Sequence, residues 1–188
     1  GPGCYLEFGD ALVQGVEVLA RRLAVVALHV EGLGCGLEIG TPVVLYTGTF
    51  EAYQGLDLLF SAMAIVRQTR PDVRLVLAGG SADQVARAQE QAHAAGIGDV
   101  TVFAGERPAS EIPAYLLAAD LLVSPRSRGT NTPLKIYQYL RSGKPIVATR
   151  LVTHTQVLGD DTALLTGATA REFADGILTA VNDRERAA

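Results

Sequence analysis

The sequence predicts an α/β fold: a doubly wound parallel sheet of about six strands, with helices on both faces, in a single domain. Two observations support this prediction. From residue 41 onward, six short runs rich in Val and Leu occur without alternating polar residues, as in strands buried on both faces. Between these runs, apolar residues recur at helical spacing. Strands that alternate with helices form right-handed crossovers and a parallel sheet.

The strands are expected, in order, at VVLYT (43–47), VRLVLA (73–78), VTVFA (100–104), LLVS (121–124), PIVAT (145–149) and TALLT (162–166). The helices are marked by apolar residues three or four positions apart. In chain order these are Leu56, Leu59, Phe60, Met63, Ala64 and Val66; Val85, Ala88 and Ala92; Ile112, Tyr115 and Leu116; Ile136, Tyr137 and Leu140; and Phe173, Ile177 and Val181. Tyr137 is therefore predicted to be a core residue.

The composition is that of one globular domain and excludes several classes of partner. Of 188 residues, 48% are hydrophobic and 19% are charged. The net charge is -4 and the basic residues are scattered, so neither a nucleic-acid polymer nor an anionic membrane surface is an expected partner. Cys4 and Cys35 lack the spacing of metal ligands, and we expect no metal site.

Residues 1–40 do not continue the strand–helix pattern, and we predict a domain boundary there, with the α/β domain at 41–188. Gly1 and Pro2 resemble the scar left by removal of a tag, residues 10–27 have the composition of a helix, and residues 32–40 form a glycine-rich connector. Charged residues interrupt the apolar stretch at 11–30, so it is neither a membrane span nor a signal peptide. A cytoplasmic location is the default expectation, and the segment has no assigned role.

The candidate ligand site lies in the loops that follow the strands, because doubly wound sheets bind ligands outside the carboxyl ends of their strands. These loops are GTFEAYQG (48–55), GGSADQ (79–84), GERPASE (105–111) and PRSRGTNTP (125–133). Each begins close to a Gly or Pro. Glycine allows the backbone to approach a ligand closely.

The fourth loop has the features of an anion site. Thr132 is a good N-cap and Pro133 a good first helical residue, so the N–H groups of the first turn are expected to face a ligand. Lys135 lies in this first turn and adds a positive charge. Taken alone, the same residues also fit a capped turn without a ligand, and both interpretations stay open at this point.

Other residues and motifs narrow the alternatives. No GxGxxG follows a strand and no GxxxxGK[ST] occurs, which argues against dinucleotide-binding proteins and P-loop NTPases. Asp120 precedes its strand, at the wrong end for the acceptor of a response regulator. His29 and His93 are expected to be structural. His154 lies in a loop on the ligand edge, where a role in forming the turn and a catalytic role are both open.

Residues 41 to about 183 resemble the C-terminal, nucleotide-sugar-binding domain of a group 1 (family 4) retaining glycosyltransferase of the GT-B fold. This domain is Rossmann-like and forms half of that fold. The landmarks are VVLYTGTFEAYQGLDLLFSAM (43–63), VRLVLAGG (73–80), VTVFAGERPASEIPAYLLAADLLVSP (100–125) and TPLKIYQYLRSGKPIVAT (132–149). The last is the most specific, because a helix and a G-x-P-[IV]-V-A strand entry follow each other there.

The resemblance implies binding roles for several residues. Gly48 and Thr49 would lie under the diphosphate of a nucleotide-sugar donor. The backbone of Gly129, Thr130, Asn131 and Thr132 would bind it from the opposite side. The nucleobase pocket would be lined by Gly105 to Arg107, with Gly79 and Gly80. Gln138 would hold the ribose, in the place of the usual Glu.

Two departures from the family pattern concern charge. The family commonly has a GR…KG pattern after the first strand, whereas this chain has Thr49 and Gln54 at the basic positions. The diphosphate charge would then be met by Lys135, Arg126 or Arg128. The E-x7-E signature is also missing. We interpret these departures as subfamily variation, and a degenerate, non-catalytic copy is the alternative.

A third departure concerns extent. A GT-B enzyme needs an N-terminal domain that carries the acceptor site, and this chain has no room for one. We therefore expect this chain to be the donor-binding half of a hexosyltransferase, inactive alone and without a cofactor or metal. Peripheral attachment of the full-length enzyme to the membrane stays open. The alternatives are a non-catalytic interaction module and half of a sugar-nucleotide epimerase.

Overall fold

The computed structural model of the protein describes residues 40–129 and 131–187, with side chains up to residue 183. The predictions for residues 1–39 and for Thr130 lie outside these residues. The strands are β1 (Val43–Thr47), β2 (Arg74–Ala78), β3 (Thr101–Gly105), β4 (Leu121–Ser124), β5 (Ile146–Thr149) and β6 (Leu164–Thr166). The helices are α1 (Leu56–Thr69), α2 (Ala82–Ala94), α3 (Ile112–Ala118), α4 (Lys135–Ser142), α5 (Val152–Thr155) and α6 (Ala170–Ala187), with short 3-10 turns at Ala52–Gln54 and Gly98–Val100.

The six strands form one parallel sheet in the order β3-β2-β1-β4-β5-β6. This confirms the predicted fold class, and each strand begins within two residues of its predicted start. The chain proceeds from β1 outward to β3, then returns to the other side of β1 with β4. The sheet therefore has its topological switch point between β1 and β4, where such sheets bind ligands.

Apolar side chains cover both faces of the sheet. On one face, Val44 and Leu75 belong to the core formed with α1, α2 and α6. On the other, Leu45 and Val76 belong to the core formed with α3 and α4. Consecutive strand residues point to opposite faces, so β1 to β5 each contribute to both cores, whereas the edge strand β6 contributes Leu165 to the second core alone. This double burial explains the unbroken apolar runs in the sequence.

The buried face of α4 differs from the prediction. Ile136 and Tyr139 are fully buried, whereas the side chain of Tyr137 is 53% exposed. The prediction that Tyr137 is a core residue is therefore wrong. Residues three apart share one helix face, and Ile136 and Tyr139 occupy the face turned toward the sheet.

The start of α4 also differs. The helix begins at Lys135, and its first N–H groups, those of Ile136 and Tyr137, donate to the carbonyl groups of Pro133 and Leu134. The hydroxyl of Thr132 donates to the Gln156 side chain at 2.7 Å. The prediction that Thr132 caps the helix and Pro133 begins it is therefore wrong. A tight turn satisfies the first N–H groups instead.

Candidate functional site

The loops that follow β1 and β4 contact each other at the carboxyl edge of the sheet. The Ser127 N–H donates to the Tyr53 carbonyl at 3.1 Å. Gly55 has a φ of +75°, and a Cβ at that position would lie 2.0 Å from the carbonyl oxygen of Pro125. Glycine alone tolerates both this backbone conformation and this close approach. We use the term junction for the residues that meet here: 48–49 after β1, and 125–129 and 131–135 after β4.

Tyr139 positions α4 against β1. Its hydroxyl accepts the Thr47 N–H at 2.9 Å and lies 3.1 Å from the Thr47 hydroxyl. Burial raises the pKa of Tyr139 to about 12, so the phenol stays protonated and takes part in both contacts as a hydroxyl. Lys135 lies four residues earlier, one helical turn away, and this anchor places it over the end of β1.

The amine of Lys135 is buried without a hydrogen-bond partner among the described residues. Its Nζ lies 3.7 Å from the centroid of the Tyr46 ring. A Cβ built on Gly48 would lie 3.6 Å from this Nζ, at ordinary van der Waals distance, so the amine lies directly beside the Gly48 backbone. Lys135 therefore faces Gly48, the first glycine of the candidate site.

The surroundings of Lys135 disfavour its charged form. Burial lowers its pKa well below the usual value for lysine, and the Arg126 guanidinium lowers it further by like-charge repulsion. Burial also raises the pKa of Tyr46 well above its usual value, so the ring under the amine is a neutral phenol. The Tyr46 hydroxyl donates to the Thr49 carbonyl at 2.7 Å, and the Thr49 side chain itself is exposed.

Arg126 is the second cation of the junction. One of its terminal nitrogens donates to the Asn131 carbonyl, and its guanidinium lies 5.0 Å from the centroid of the Tyr53 ring. Its Nε is buried without a partner in the described part of the chain. A Cβ on Gly129 would lie 3.1 Å from the guanidinium carbon. The junction therefore holds two inward-facing cations, and none of the ion pairs found within 40–129 and 131–183 includes either.

A hydrogen-bonded network supports the Arg126 backbone from below. The His154 Nδ1 lies 2.7 Å from the Thr149 carbonyl, which only accepts, so Nδ1 carries the proton. Nε2 is then the acceptor, and it receives the Ser124 hydroxyl at 2.8 Å. The Thr149 hydroxyl in turn donates to the Arg126 carbonyl at 2.6 Å. Burial lowers the pKa of His154 to about 4, so the ring is neutral near pH 7. His154 is thus a structural residue, in line with the turn-forming interpretation.

Three predicted glycines lie side by side along the carboxyl edge. The Gly79 N–H donates to the Gly105 carbonyl at 2.7 Å, and a Cβ on Gly79 would lie 2.0 Å from the Gly48 carbonyl oxygen. A Cβ on Gly80 would lie 2.6 Å from the Phe50 ring. The loops after β1, β2 and β3 therefore lie close together, with backbone against backbone at Gly48, Gly79 and Gly105 and with the Phe50 ring against Gly80. Near them, Arg107 donates to the Ala104 carbonyl and lies 3.8 Å from the carboxylate of Glu111.

The other predicted site residues lie further from the amine. Arg128 is exposed and lines a separate cleft beside α2. Gln138 is exposed and lines a groove between α3 and α4 that none of the junction residues borders. Gln54 lies at the end of a 3-10 turn, and its side-chain oxygen is buried without a partner among the described residues. The structure therefore turns the side chains of Lys135 and Arg126 inward at the junction and leaves that of Arg128 exposed.

Sequence reasoning missed the role of Tyr46 and Thr149 in this site. Tyr46 lies inside an apolar strand, and the amine of Lys135 packs over the face of its ring. Thr149 ends β5 and holds the Arg126 backbone. Polar residues at the last position of a strand on the ligand edge were the available signal, and Thr47, Ser124 and Thr149 all have it.

Two features are absent from the described part of the chain. None of the helices there has the length and apolar character needed to cross a membrane. Within the same residues, no group of three or more His, Cys, Asp or Glu side chains is arranged to hold a metal ion.

The comparison with protein families decides the identity of the domain. The family model described as "Glycosyl transferases group 1" matches residues 41–183, which is most of the chain. The chain belongs to the group 1 glycosyltransferases. The match begins one residue after the glycine-rich connector and includes every strand and every site loop of the domain, as the resemblance predicts.

Curated relatives in this family are about twice as long or longer. The chain is 27% identical over 157 residues to a D-inositol 3-phosphate glycosyltransferase of Corynebacterium glutamicum, covering 80% of this chain and 37% of that protein. It is 30% identical over 149 residues to a GDP-mannose-dependent alpha-(1-6)-phosphatidylinositol monomannoside mannosyltransferase of Mycolicibacterium smegmatis, covering 76% and 38%. The chain thus spans less than half the length of these group 1 relatives.

Solved structures confirm the fold. HepE of Anabaena, in complex with UDP and glucose, aligns with a TM-score of 0.70 at 22% identity, covering 86% of this chain and 43% of that one. The C-terminal domain of the group 1 protein LpcC from Francisella tularensis aligns with a TM-score of 0.65 at 18% identity, covering 78% of both chains. The group 1 domain described here is therefore similar both to part of longer chains and to a C-terminal domain solved by itself.

Proposed function

We propose that this chain is the donor-binding, C-terminal half of a retaining hexosyltransferase that uses a nucleoside-diphosphate sugar, and that residues 41–188 form the donor-binding domain. The observation that carries the proposal is the unpartnered amine of Lys135, buried at the switch point beside the unpartnered Nε of Arg126. Buried polar groups almost always have a partner in the folded protein, so an exception needs a reason. A ligand with negative charge supplies that reason.

The junction suits a diphosphate. Arg126 is positive and Lys135 can become so, neither has a carboxylate partner among the described residues, and the backbone of Gly129 and Gly48 lies beside these two side chains. A charge-assisted hydrogen bond to Lys135 contributes about 1.5–3 kcal/mol, and the dipole of a helix start contributes about 0.3–1 kcal/mol. These two cations replace the basic residues that the family commonly carries at the positions of Thr49 and Gln54.

In the proposed reaction, the junction stabilises the leaving group. Cleavage of the bond between sugar and diphosphate increases the negative charge on the diphosphate oxygens. Positive groups that are fixed before this happens lower the barrier, because they need no rearrangement during the reaction. Lys135 and Arg126 supply this charge from the protein, and the proposal includes no metal or other cofactor.

The rest of the donor extends from the junction along the carboxyl edge of the sheet. The row of loops at Gly79, Gly80 and Gly105 to Arg107 supports a nucleobase site, because the glycines present backbone there and the Phe50 ring lies against Gly80. Gln138 lies in the separate groove between α3 and α4, so the proposal gives it no contact with the ribose. The relatives support the substrate class: one is named for GDP-mannose, and HepE is bound to UDP and glucose.

Sugar transfer requires an acceptor site, which we assign to an N-terminal domain outside this chain. The relatives are longer by more than half of their own length, which supports this assignment. We therefore expect the purified chain to bind donor nucleotides without transferring sugar. Transfer to an added acceptor at the rate of a complete enzyme would contradict this part of the proposal, whereas slow hydrolysis of the donor is compatible with it.

Calorimetric titration with UDP, GDP and ADP tests the site. We expect at least one of them to bind, and Lys135→Ala to weaken that binding about tenfold or more, because a charge-assisted hydrogen bond is lost. The chain contains one other lysine, Lys144, just beyond the far end of α4. Lys144→Ala is the matched control and should leave the affinity nearly unchanged.

The titration also separates this proposal from its rival. A group 1 domain that serves only as an interaction module keeps the fold without the ligand, and the replacement of the family's basic residues by Thr49 and Gln54 favours it. Absence of binding for all three nucleotides at millimolar concentration would support the rival. Equal losses from Lys135→Ala and Lys144→Ala would indicate nonspecific attraction.

A further inference from the structure

The amine of Lys135 lies in the junction in a position unsuited to a charge. Its Nζ lies 3.7 Å from the centre of the Tyr46 ring and has less than 1 Å² of accessible surface. A charged ammonium carries three N–H donors, and none of the described residues accepts a hydrogen bond from this one. An ammonium in this position is therefore poorly solvated by the protein, whereas a neutral amine is tolerated.

The groups around the amine offset this cost only in part, because the face of the Tyr46 ring attracts an ammonium while no hydrogen-bond acceptor or carboxylate among the described residues does. The titratable or charged groups around the amine are Tyr46 on β1, Tyr53 in the 3-10 turn after β1, Arg126 in the loop after β4, Tyr139 on α4 and His154 on α5. Burial raises the pKa of Tyr46 and of Tyr139, so these two phenols are neutral near pH 7, and His154 is a neutral ring hydrogen-bonded at both nitrogens. Arg126 is positive and repels a second cation. No carboxylate balances the pair within the described residues.

We infer that binding of a phosphate ligand at the junction is coupled to the uptake of a proton by Lys135. In the reaction, the amine R–NH₂ takes one H⁺ from solvent and becomes R–NH₃⁺ when phosphate oxygens arrive beside it. No covalent bond to the ligand forms. Gly48 lies next to the amine, because a Cβ built there would be 3.6 Å from Nζ. Ligand oxygens held at the Gly48 backbone therefore accept the new N–H donors after a small movement of the lysine side chain, whose amine is buried in the free protein. This inference rests on the proposed function, and it adds that the site is completed by its ligand.

The lowered pKa of Lys135 in the free protein supports this coupling. An anion in contact with the amine favours its charged form and raises the pKa toward or above its usual value. Between the two pKa values the free protein lacks the proton and the complex holds it. Affinity for the ligand should consequently fall as the pH rises through this window, because the proton becomes harder to obtain.

The chain is suited to a direct test, because Lys135 and Lys144 are its only lysines. Lysine labelled with ¹³C at the ε position gives two side-chain signals, which Lys144→Met assigns. We expect the Lys135 signal of the free protein to titrate at lower pH than the Lys144 signal. Saturation with the tightest-binding of UDP, GDP and ADP should raise the Lys135 midpoint by about one unit or more and leave the Lys144 midpoint in place.

A second measurement counts the protons. Titration calorimetry at pH 8.0 in buffers of different ionisation enthalpy gives the number taken up on binding, and at this pH phosphate groups with a pKa of about 6 contribute little. We expect net uptake in the unmodified protein and in Lys144→Met, with none in Lys135→Met if that variant still binds.

The two proposals fail in different ways. If no nucleotide binds at millimolar concentration, the proposed function fails. If a nucleotide binds while the Lys135 midpoint stays where it is in the free protein, the site is correct and the coupling to a proton is wrong. A free-state midpoint equal to that of Lys144 also overturns the coupling.

Discussion

Lys135 and His154 form an instructive pair of buried titratable groups near the same edge of the sheet. Both have a pKa lowered by burial. The His154 ring is hydrogen-bonded at both nitrogens, to Ser124 and to Thr149. The amine of Lys135 has no hydrogen-bond partner among the described residues. His154 is therefore buried with all its hydrogen-bonding atoms paired, whereas Lys135 is buried with its amine unpaired among the described residues.

The difference separates structural groups from binding groups. A satisfied buried residue stabilises the fold, and its removal leaves its partners unpaired. An unsatisfied one costs folding free energy and is retained where a ligand completes it. By this criterion the corner around His154 is the support of the site, and the junction around Lys135 is the site itself. The hydrogen bond from Thr149 to the Arg126 carbonyl connects the two regions.

The largest expected loss of stability comes from a steric clash between the two loops of the junction. Gly55→Ala places a methyl group 2.0 Å from the Pro125 carbonyl, whereas Gly96→Ala, at nearly the same φ, meets no atom within 4 Å. Left-handed strain costs both variants about 1–2 kcal/mol, and the clash adds about 1–3 kcal/mol at Gly55 alone. Urea unfolding measures both. Equal losses would show that the two loops do not need their close contact.

The next prediction concerns the acid stability contributed by His154. Its pKa is about 4 in the folded protein, against 6.5 for a fully exposed histidine, so the unfolded chain binds more protons between these values. Stability is therefore full above about pH 6.5 and is lost as the pH falls toward 4, by about 3 kcal/mol. Unfolding free energies at pH 7, 5.5 and 4 measure the loss.

Two histidine variants test the assignment of this acid sensitivity. His154→Asn keeps a donor for the Thr149 carbonyl but cannot titrate, so it should be less stable at pH 7 and should lose less on acidification. His93→Asn, on the exposed face of α2, controls for removal of a histidine as such. An unchanged acid slope in His154→Asn would assign the sensitivity to other groups.

A smaller effect of opposite sign is expected at Lys135. Lys135→Met keeps the apolar stem and removes an unpaired buried amine, which should stabilise the free protein by about 1–3 kcal/mol. The unfolded chain binds more protons than the folded one between the lowered and the ordinary lysine pKa, so the gain should be largest at neutral pH and shrink toward pH 10. Lys144→Met should stay within about 0.5 kcal/mol of the original.

Nucleotide titration of the same variants completes this test. Lys135→Met should be more stable and bind more weakly, which is the signature of a residue kept for a ligand. A loss of stability in Lys135→Met would instead make the lysine a structural residue and remove the contrast with His154.

The smallest expected effect tests the connection between the two regions. Thr149→Val and Thr101→Val each remove a buried hydroxyl that donates to a carbonyl, to Arg126 at 2.6 Å and to Ile97 at 2.8 Å respectively. Each should cost about 1 kcal/mol of stability. Only Thr149→Val should also weaken nucleotide binding. Equal affinities of the two variants would mean that Thr149 does not position Arg126.

The sequence by itself determined the elements of the fold and the edge at which to look for a ligand. Strands buried on both faces need continuous apolar runs, so all six could be located from local composition. Helices between them require parallel pairing, which puts every loop such as 48–55 or 125–133 at one edge. The motif around Pro133 and Gly143 then indicated the family, and the family comparison confirmed it.

The tertiary structure alone decided which residues of that edge form the site. The partners of the key side chains are distant in sequence: Tyr139 is 92 residues from Thr47, and His154 is 30 residues from Ser124. Local patterns carry no information about such contacts, and they also misplaced the start of α4 and its buried face. Three cations followed β4 in the sequence as equal candidates. Packing of α4 on β1 placed the Lys135 amine over Tyr46, and the Asn131 carbonyl and the Tyr53 ring hold Arg126, whereas Arg128 in the same loop is exposed. Side-chain direction depends on neighbours that the sequence does not give.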